Sequence, residues 1–137
     1  MGTMAGVDLL SVRRELYRHY AATGRPPTLA SDEVAALEAV HAVVLDRTGA
    51  IAFANPFATG PAPFRVQTDR RSYNAICAWD ALGVLAAVDR DGTVEGDCPD
   101  CGELIALRVR RRAIGRTDAV VHFLVPAAHW YEDLGFA

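Results

Sequence analysis

The stretch Ala75-Ile76-Cys77-Ala78-Trp79-Asp80-Ala81-Leu82, running on to Val88, decides how the chain is read. It predicts a helix from about Tyr73 to Val88, capped by Ser72 or Asn74 and stopped by Asp89-Arg90-Asp91-Gly92. Within it Cys77 and Asp80 stand three residues apart, so both side chains leave one helix face with Cβ atoms about 5–6 Å apart. A helix starting near Asn74 places Cys77 in the first turn, where unpaired N–H groups and the helix dipole favour an anion. That predicts a lowered thiol pKa, hence a nucleophile and a ligand for soft metals. Asp80, kept protonated part of the time by burial, is then a proton donor beside it. On the pattern alone a plainer account competes: Cys77 as a small buried hydrophobe and Asp80 as a surface charge.

The segments on either side set the architecture. Val7 to Ala22 reads as an amphipathic helix carrying Leu9, Leu10, Leu16, Tyr17 and Tyr20, stopped by Thr23-Gly24-Arg25-Pro26-Pro27. Ser31 is the expected cap of a second helix, Asp32 to about Val40, with Asp32 and Glu33 at its positive end. Ala42–Leu45 and Ala50–Phe53, joined by Asp46-Arg47-Thr48-Gly49, predict a β-hairpin. Asn55 to Pro63 is a Pro/Gly-rich connector, followed by a short strand at Phe64–Thr68. Strands are expected at Thr93–Glu95, Leu104–Arg110 and Val120–Val125, and a short helical turn at Ala127–Leu134. The fold expected is therefore α+β: a small winged-helix-like N-terminal part, residues 1–58, packed on a mixed β-sheet with one central helix, residues 59–137.

Composition narrows the function classes. The 137 residues, 51% hydrophobic and 23% charged, are those of a soluble globular domain. A net charge of −3 argues against a dedicated nucleic-acid binder. The second helix, acidic where a recognition helix needs Arg or Lys, argues the same way. No apolar run is long enough for a membrane span, and Met1 to Asp8 lacks the features of a signal peptide. The three cysteines, an odd number, predict a reducing cytoplasmic setting in which thiols serve as ligands or reactants.

The other two cysteines fall in Cys98-Pro99-Asp100-Cys101-Gly102, the form of a zinc knuckle but only half of a tetrahedral site. Metal ligation by Cys98 and Cys101, completed by Cys77, His122, His129 or a second subunit, stands beside an inert turn. A redox role is disfavoured, because the motif sits between strands rather than opening a helix. Arg108, Arg110, Arg111, Arg112 and Arg116 read as a solvated strand edge, with anion binding as the alternative. His122 reads as a hydrogen-bonded core residue, and Trp79 as core or pocket wall. Trp130, Tyr131 and Phe136 are expected to cover a pocket or form a subunit contact.

From Ser72 to Val109 the chain resembles the catalytic half of the alkylmercury lyases, which carry Cys-x-x-Asp in an Ala-rich helix start, here Ala75 to Leu82. The family then has a Cys followed four residues later by Gly, here Cys98 and Gly102, ahead of a strand. Val121-His122-Phe123 is similar to a segment near the family's second active cysteine, and the winged-helix-like start also fits. The resemblance implies that two thiolates capture the mercury of an organomercurial and that Asp80 delivers a proton to its carbon, with Cys77 as the first thiolate. It implies no resident cofactor; bound Hg, Zn or Cu at Cys77, Cys98 and Cys101 is compatible with it. The partners it implies are an organometal or metal ion and small thiols, with no membrane; a homodimer is compatible. The chain departs from the family where the second cysteine belongs: Thr117-Asp118-Ala119-Val120 stands there, and no cysteine follows Cys101. Cys98, Cys101 or an external small thiol must then replace it. The competing class is a non-catalytic soft-metal binder of the same fold, and the third a winged-helix regulator.

Overall fold

The computed structural model describes residues 6–123 and 125–132. Two helices come first, α1 (Leu9–Thr23) and α2 (Ser31–Ala39). Asp8 caps α1 by accepting the Ser11 N–H at 3.3 Å, and Gly24 ends it at φ 75°, a left-handed position that costs glycine little. Val12, Leu16 and Tyr20, one turn apart, form its buried stripe. In α2 the cap residue is Ala30 rather than Ser31, and the Glu33 carboxylate accepts the Ala30 N–H at 2.9 Å.

Among the described residues eight strands follow: β1 (Val44–Leu45), β2 (Ile51–Ala54), β3 (Phe57–Ala58), β4 (Phe64–Thr68), β5 (Ser72–Ala75), β6 (Gly92–Asp97), β7 (Leu104–Arg110) and β8 (Ala113–Ile114). The third helix, α3 (Ala78–Val88), separates β5 from β6, and a 3-10 helix spans Ala127–Glu132. The strands form one sheet in the order β1-β2-β3-β5-β4-β6-β7-β8. The chain is thus α+β with one central helix, as expected. Every pairing is antiparallel, so the sheet is not mixed. The β1–β2 hairpin, read as a wing, continues into the main sheet through β3.

Two segments differ from their sequence reading. Ser72–Ala75 is strand, not helix: Tyr73 and Ala75 point inward in period two, and all four residues pair with β4. The Thr68 hydroxyl builds the connecting turn by accepting the N–H groups of Arg70 (3.2 Å) and Arg71 (3.1 Å). Residues 120–123 are exposed coil, and the sheet ends instead at β8.

A single apolar cluster joins α1, the inner sheet face and α3, drawing on residues from both expected parts of the chain. Tyr20 stacks on Phe57 with ring centroids 5.2 Å apart, and the Tyr73 hydroxyl donates to the Ala21 carbonyl at 2.5 Å. Ala81, Val84 and Leu85 bury the inner stripe of α3; a fully buried Val or Leu side chain contributes about 1.5–3 kcal/mol. The opposite sheet face carries the exposed Arg65, Gln67, Glu95 and Arg108. Gly96 must lack a side chain, since a Cβ there would lie 2.8 Å from the Pro63 oxygen and inside the Phe64 ring.

Candidate active site

The end of β5 hands the chain to α3 through Cys77, whose extended backbone (φ −146°, ψ 169°) makes it the helix cap. Its Sγ accepts the Asp80 N–H at 3.4 Å, while its carbonyl accepts the Ala81 N–H at 2.9 Å. Cys77 therefore precedes the first helical turn instead of lying within it, because residues 72–75 are held by β4. Asp80 lies in that first turn, one helical turn from the thiol that its N–H meets.

Burial decides the electrostatics of this pair. Desolvation pushes the Cys77 thiol up, against the lowering effect of the Asp80 and Trp79 N–H groups; the Asp80 carboxyl adds to the rise by charge and by accepting the thiol proton. The lowered thiol pKa expected from the helix start is thus overturned, since desolvation outweighs the N–H groups. Burial also pushes the Asp80 carboxyl above the usual carboxylate range, offset in part by its hydrogen bond with Cys77. Burial thus makes the Cys77 thiol hold its proton more firmly and the Asp80 carboxylate more basic than usual, an arrangement suited to passing one proton from sulfur to oxygen.

The β6–β7 turn is a separate thiol site. The Cys98 N–H donates to the Glu103 carbonyl and the Gly102 N–H to the Cys98 carbonyl, both at 2.8 Å, with Gly102 at φ 74°. Cys98 is half-buried and Cys101 exposed. The backbone N–H groups of Cys101 and Asp100 hold the Cys98 thiol down. Cys101 feels a lowering N–H from Glu103, yet the neighbouring Cys98 sulfur leaves its thiol above the ordinary range.

Register fixes how the two sites lie. Ala75 of β5 and Gly96 of β6 both oppose Phe64 of β4, and Cys77 and Cys98 each follow two residues later. Both cysteines therefore leave the same end of the sheet, with two strand spacings, roughly 10 Å, between their strands. Among the described residues no three His, Cys, Asp or Glu side chains gather as a metal-holding group. Cys77, Cys98 and Cys101 do not form one ligand set in this conformation. His122 is exposed coil rather than core, and His129 is exposed and hydrogen-bonded to Glu132 at 2.8 Å.

Sequence reasoning missed the neighbours of Trp79. This side chain is 56% exposed, and its ring meets Phe123 edge-on at 6.1 Å; Phe123 in turn packs on Trp130 at 5.0 Å. The Trp130 indole N–H donates to the Val125 carbonyl at 2.7 Å, tying the tail into a loop. The aromatic content of the tail was visible, but not which helix it would meet. The Tyr131 side chain and Phe136 lie outside the described residues. A cavity of about 730 Å³ sits at the far end of α3, lined by Leu82, Leu85, Asp89, Arg111, Arg112 and Ile114, away from the thiol and carboxyl that carry chemistry.

Residues 57–135, more than half of the chain, match the family model described as MerB, alkylmercury lyase. The chain belongs to the alkylmercury lyase family. Its fold is similar to the crystal structure of the mercury-bound form of MerB2, with a TM-score of 0.66 at 18% identity, over 81% of this chain and 60% of that one. The chain thus spans 60% of the length of that alkylmercury lyase relative. None of the curated proteins matches it. Among the described residues, no helix is long and apolar enough to cross a membrane.

Proposed function

We propose that this chain captures organomercurials at Cys77 and cleaves the carbon–mercury bond with a proton passed through Asp80. The observation that carries the reading is the Cys77–Asp80 pair: a thiol capping α3, whose sulfur accepts the N–H of an aspartate one turn along, both side chains half-buried, in a chain of this family. Organomercurials in a thiol-rich medium travel as R–Hg–SR′. The Cys77 sulfur bonds to the mercury while its proton moves to the Asp80 carboxylate. Added sulfur coordination weakens the Hg–C bond, and Asp80 returns the proton to carbon. The Hg–C pair becomes the new C–H bond, so that R–Hg–SR′ and Cys77–SH give R–H and Cys77–S–Hg–SR′. Asp80 ends as it began, and a further small thiol displaces the mercury. The second thiolate arrives with the substrate, which fits a chain with Asp118-Ala119-Val120 where a second cysteine belongs.

A second reading keeps the pocket without the chemistry: a soft-metal binder that holds mercury at Cys77. The same missing cysteine favours it. Titration with one equivalent of an alkylmercury–thiol complex, followed by intact-mass measurement of wild type and Cys77→Ser, separates the two. The lyase reading expects mass gain by mercury and one thiol without the alkyl group, dependent on Cys77. An adduct that keeps its alkyl group indefinitely in excess thiol contradicts it.

A further inference from the structure

The dithiol turn between β6 and β7 has no part in the proposed bond cleavage, and that cleavage leaves Hg(II) to be taken up. Residues 98–103 form the turn: Asp97 and Leu104 make the last pair of the ladder, and the Cys98 N–H then donates to the Glu103 carbonyl at 2.8 Å. The Gly102 N–H folds back to the Cys98 carbonyl, also at 2.8 Å, with Gly102 at φ 74°. A Cβ on Gly102 would meet nothing within 4 Å, so glycine serves the backbone path here and not packing. That path aims N–H groups at sulfur: those of Asp100 and Cys101 at Cys98, and that of Glu103 at Cys101. The two sulfurs are near enough for each to act on the other's proton. Such a turn prepares thiolates for a metal, because its N–H groups offset the negative charge that sulfur brings to ligation. Both thiols can be reached, Cys98 being half-buried and Cys101 exposed.

We infer that Cys98 and Cys101 form a second soft-metal site, which chelates the Hg(II) released from Cys77. Among the described residues no third His, Cys, Asp or Glu joins them, so zinc there would lack half of its tetrahedron. Mercury(II), a soft ion, is satisfied by two thiolates. The role as acceptor rests on the proposed reaction at Cys77; Hg(II) binding at the turn does not. A small thiol first frees the metal: Cys77–S–Hg–SR′ and R′SH give Cys77–SH and R′S–Hg–SR′. Cys98 and Cys101 then replace both R′S groups, giving Cys98–S–Hg–S–Cys101 and two R′SH. Each protein thiol proton leaves on a departing R′S group, and no oxidation state changes. Closure by the second cysteine is intramolecular, which favours the chelate over two separate small thiols.

Cys77→Ser removes the first site while serine keeps the helix cap. Given one equivalent of Hg(II) as its bis-glutathione complex, without oxygen, this variant is expected to gain one mercury and no glutathione by intact mass. Both remaining thiols should become unavailable to titration. It should hold the metal against added glutathione about 10²-fold better than Cys77→Ser/Cys101→Ser, which can form only a mixed protein–Hg–glutathione adduct. A mixed adduct on Cys77→Ser, or equal stripping of the two variants, overturns the site. Iodoacetamide footprinting of wild type, after one turnover of an alkylmercury–glutathione complex in excess glutathione, tests the acceptor role: Cys98 and Cys101 should be protected and Cys77 free. Cys77 still protected, with Cys98 and Cys101 labelled, overturns that role. If no hydrocarbon is released, the reaction at Cys77 and the acceptor role fall together, while the Hg(II) site stands or falls on Cys77→Ser.

Discussion

The junction of β5 with α3 and the turn between β6 and β7 both present sulfur at the same end of the sheet, yet they give it opposite character. At the junction, burial raises the Cys77 thiol and the Asp80 carboxyl together, although helix N–H groups pull the thiol down. At the turn, solvent is open, desolvation is minor, and the N–H groups of Cys101 and Asp100 leave Cys98 the more acidic thiol. Backbone N–H groups alone therefore do not make a thiolate; the dielectric around the sulfur sets the sign. The contrast also separates tasks. In the proposed reaction the thiol must keep its proton until it can hand it to Asp80, which suits the buried pair. The half-buried Cys98 and the exposed Cys101 have no buried acid of that kind to work with.

The largest effect that would sharpen this contrast comes from restoring a second protein thiolate. The segment holding Asp118-Ala119-Val120 returns to α3 through the Phe123–Trp79 contact, and Thr117 steadies it by accepting the Ala119 N–H at 3.0 Å. Ala119→Cys is expected to speed hydrocarbon release from an alkylmercury halide by roughly tenfold or more in thiol-free buffer, since a tethered ligand replaces one from solution. Wild type should need added thiol for the same rate. Gas chromatography of the released hydrocarbon checks this; an unchanged thiol requirement would place residue 119 outside reach of the mercury.

A smaller effect tests the electrostatic half of the comparison. Timed alkylation with iodoacetamide, read by peptide mass mapping, should label Cys98 several-fold faster than Cys77 or Cys101 below the ordinary thiol pKa. The sign follows from the shifts: at a given pH a lowered pKa leaves more thiolate and a raised one less. The gap should narrow as pH rises. Cys77 reacting first would show that the helix start outweighs burial after all.

Much of the fold was legible because it is local. The α1 stripe of Leu16 and Tyr20, the Asp46–Gly49 hairpin turn and the run from Ala78 to Val88 each carry their signal within one element. What was not legible depended on partners far along the chain. Ser72–Ala75 has too few residues for its alternation to outweigh a helix reading, and only pairing with β4 decides it. The same cause moved Cys77 from the first turn to the cap. Val120 to Phe123 looks like a strand by composition, but β8 already closes that edge of the sheet. For the site, the three-residue spacing of Cys77 and Asp80 was enough to pair them. Their shared burial, and the arrival of Phe123 beside Trp79, could be seen only once the tail was placed.

The central claim is that Asp80 carries the proton that splits the carbon–mercury bond. Single-turnover hydrocarbon release from the Cys77 adduct, followed against pH in wild type and Asp80→Asn, tests it most directly. Once mercury holds the sulfur, release depends on protonated Asp80, so the wild-type rate should fall as pH rises through that group's pKa. Because burial raises that pKa, the fall should come at higher pH than for an ordinary carboxylate. Asp80→Asn should keep the adduct and, below that pKa, lose release by about 10²–10⁴-fold, the gap closing as pH rises through it. Equal release rates in the two proteins below that pKa, or a wild-type rate indifferent to pH, would contradict the account.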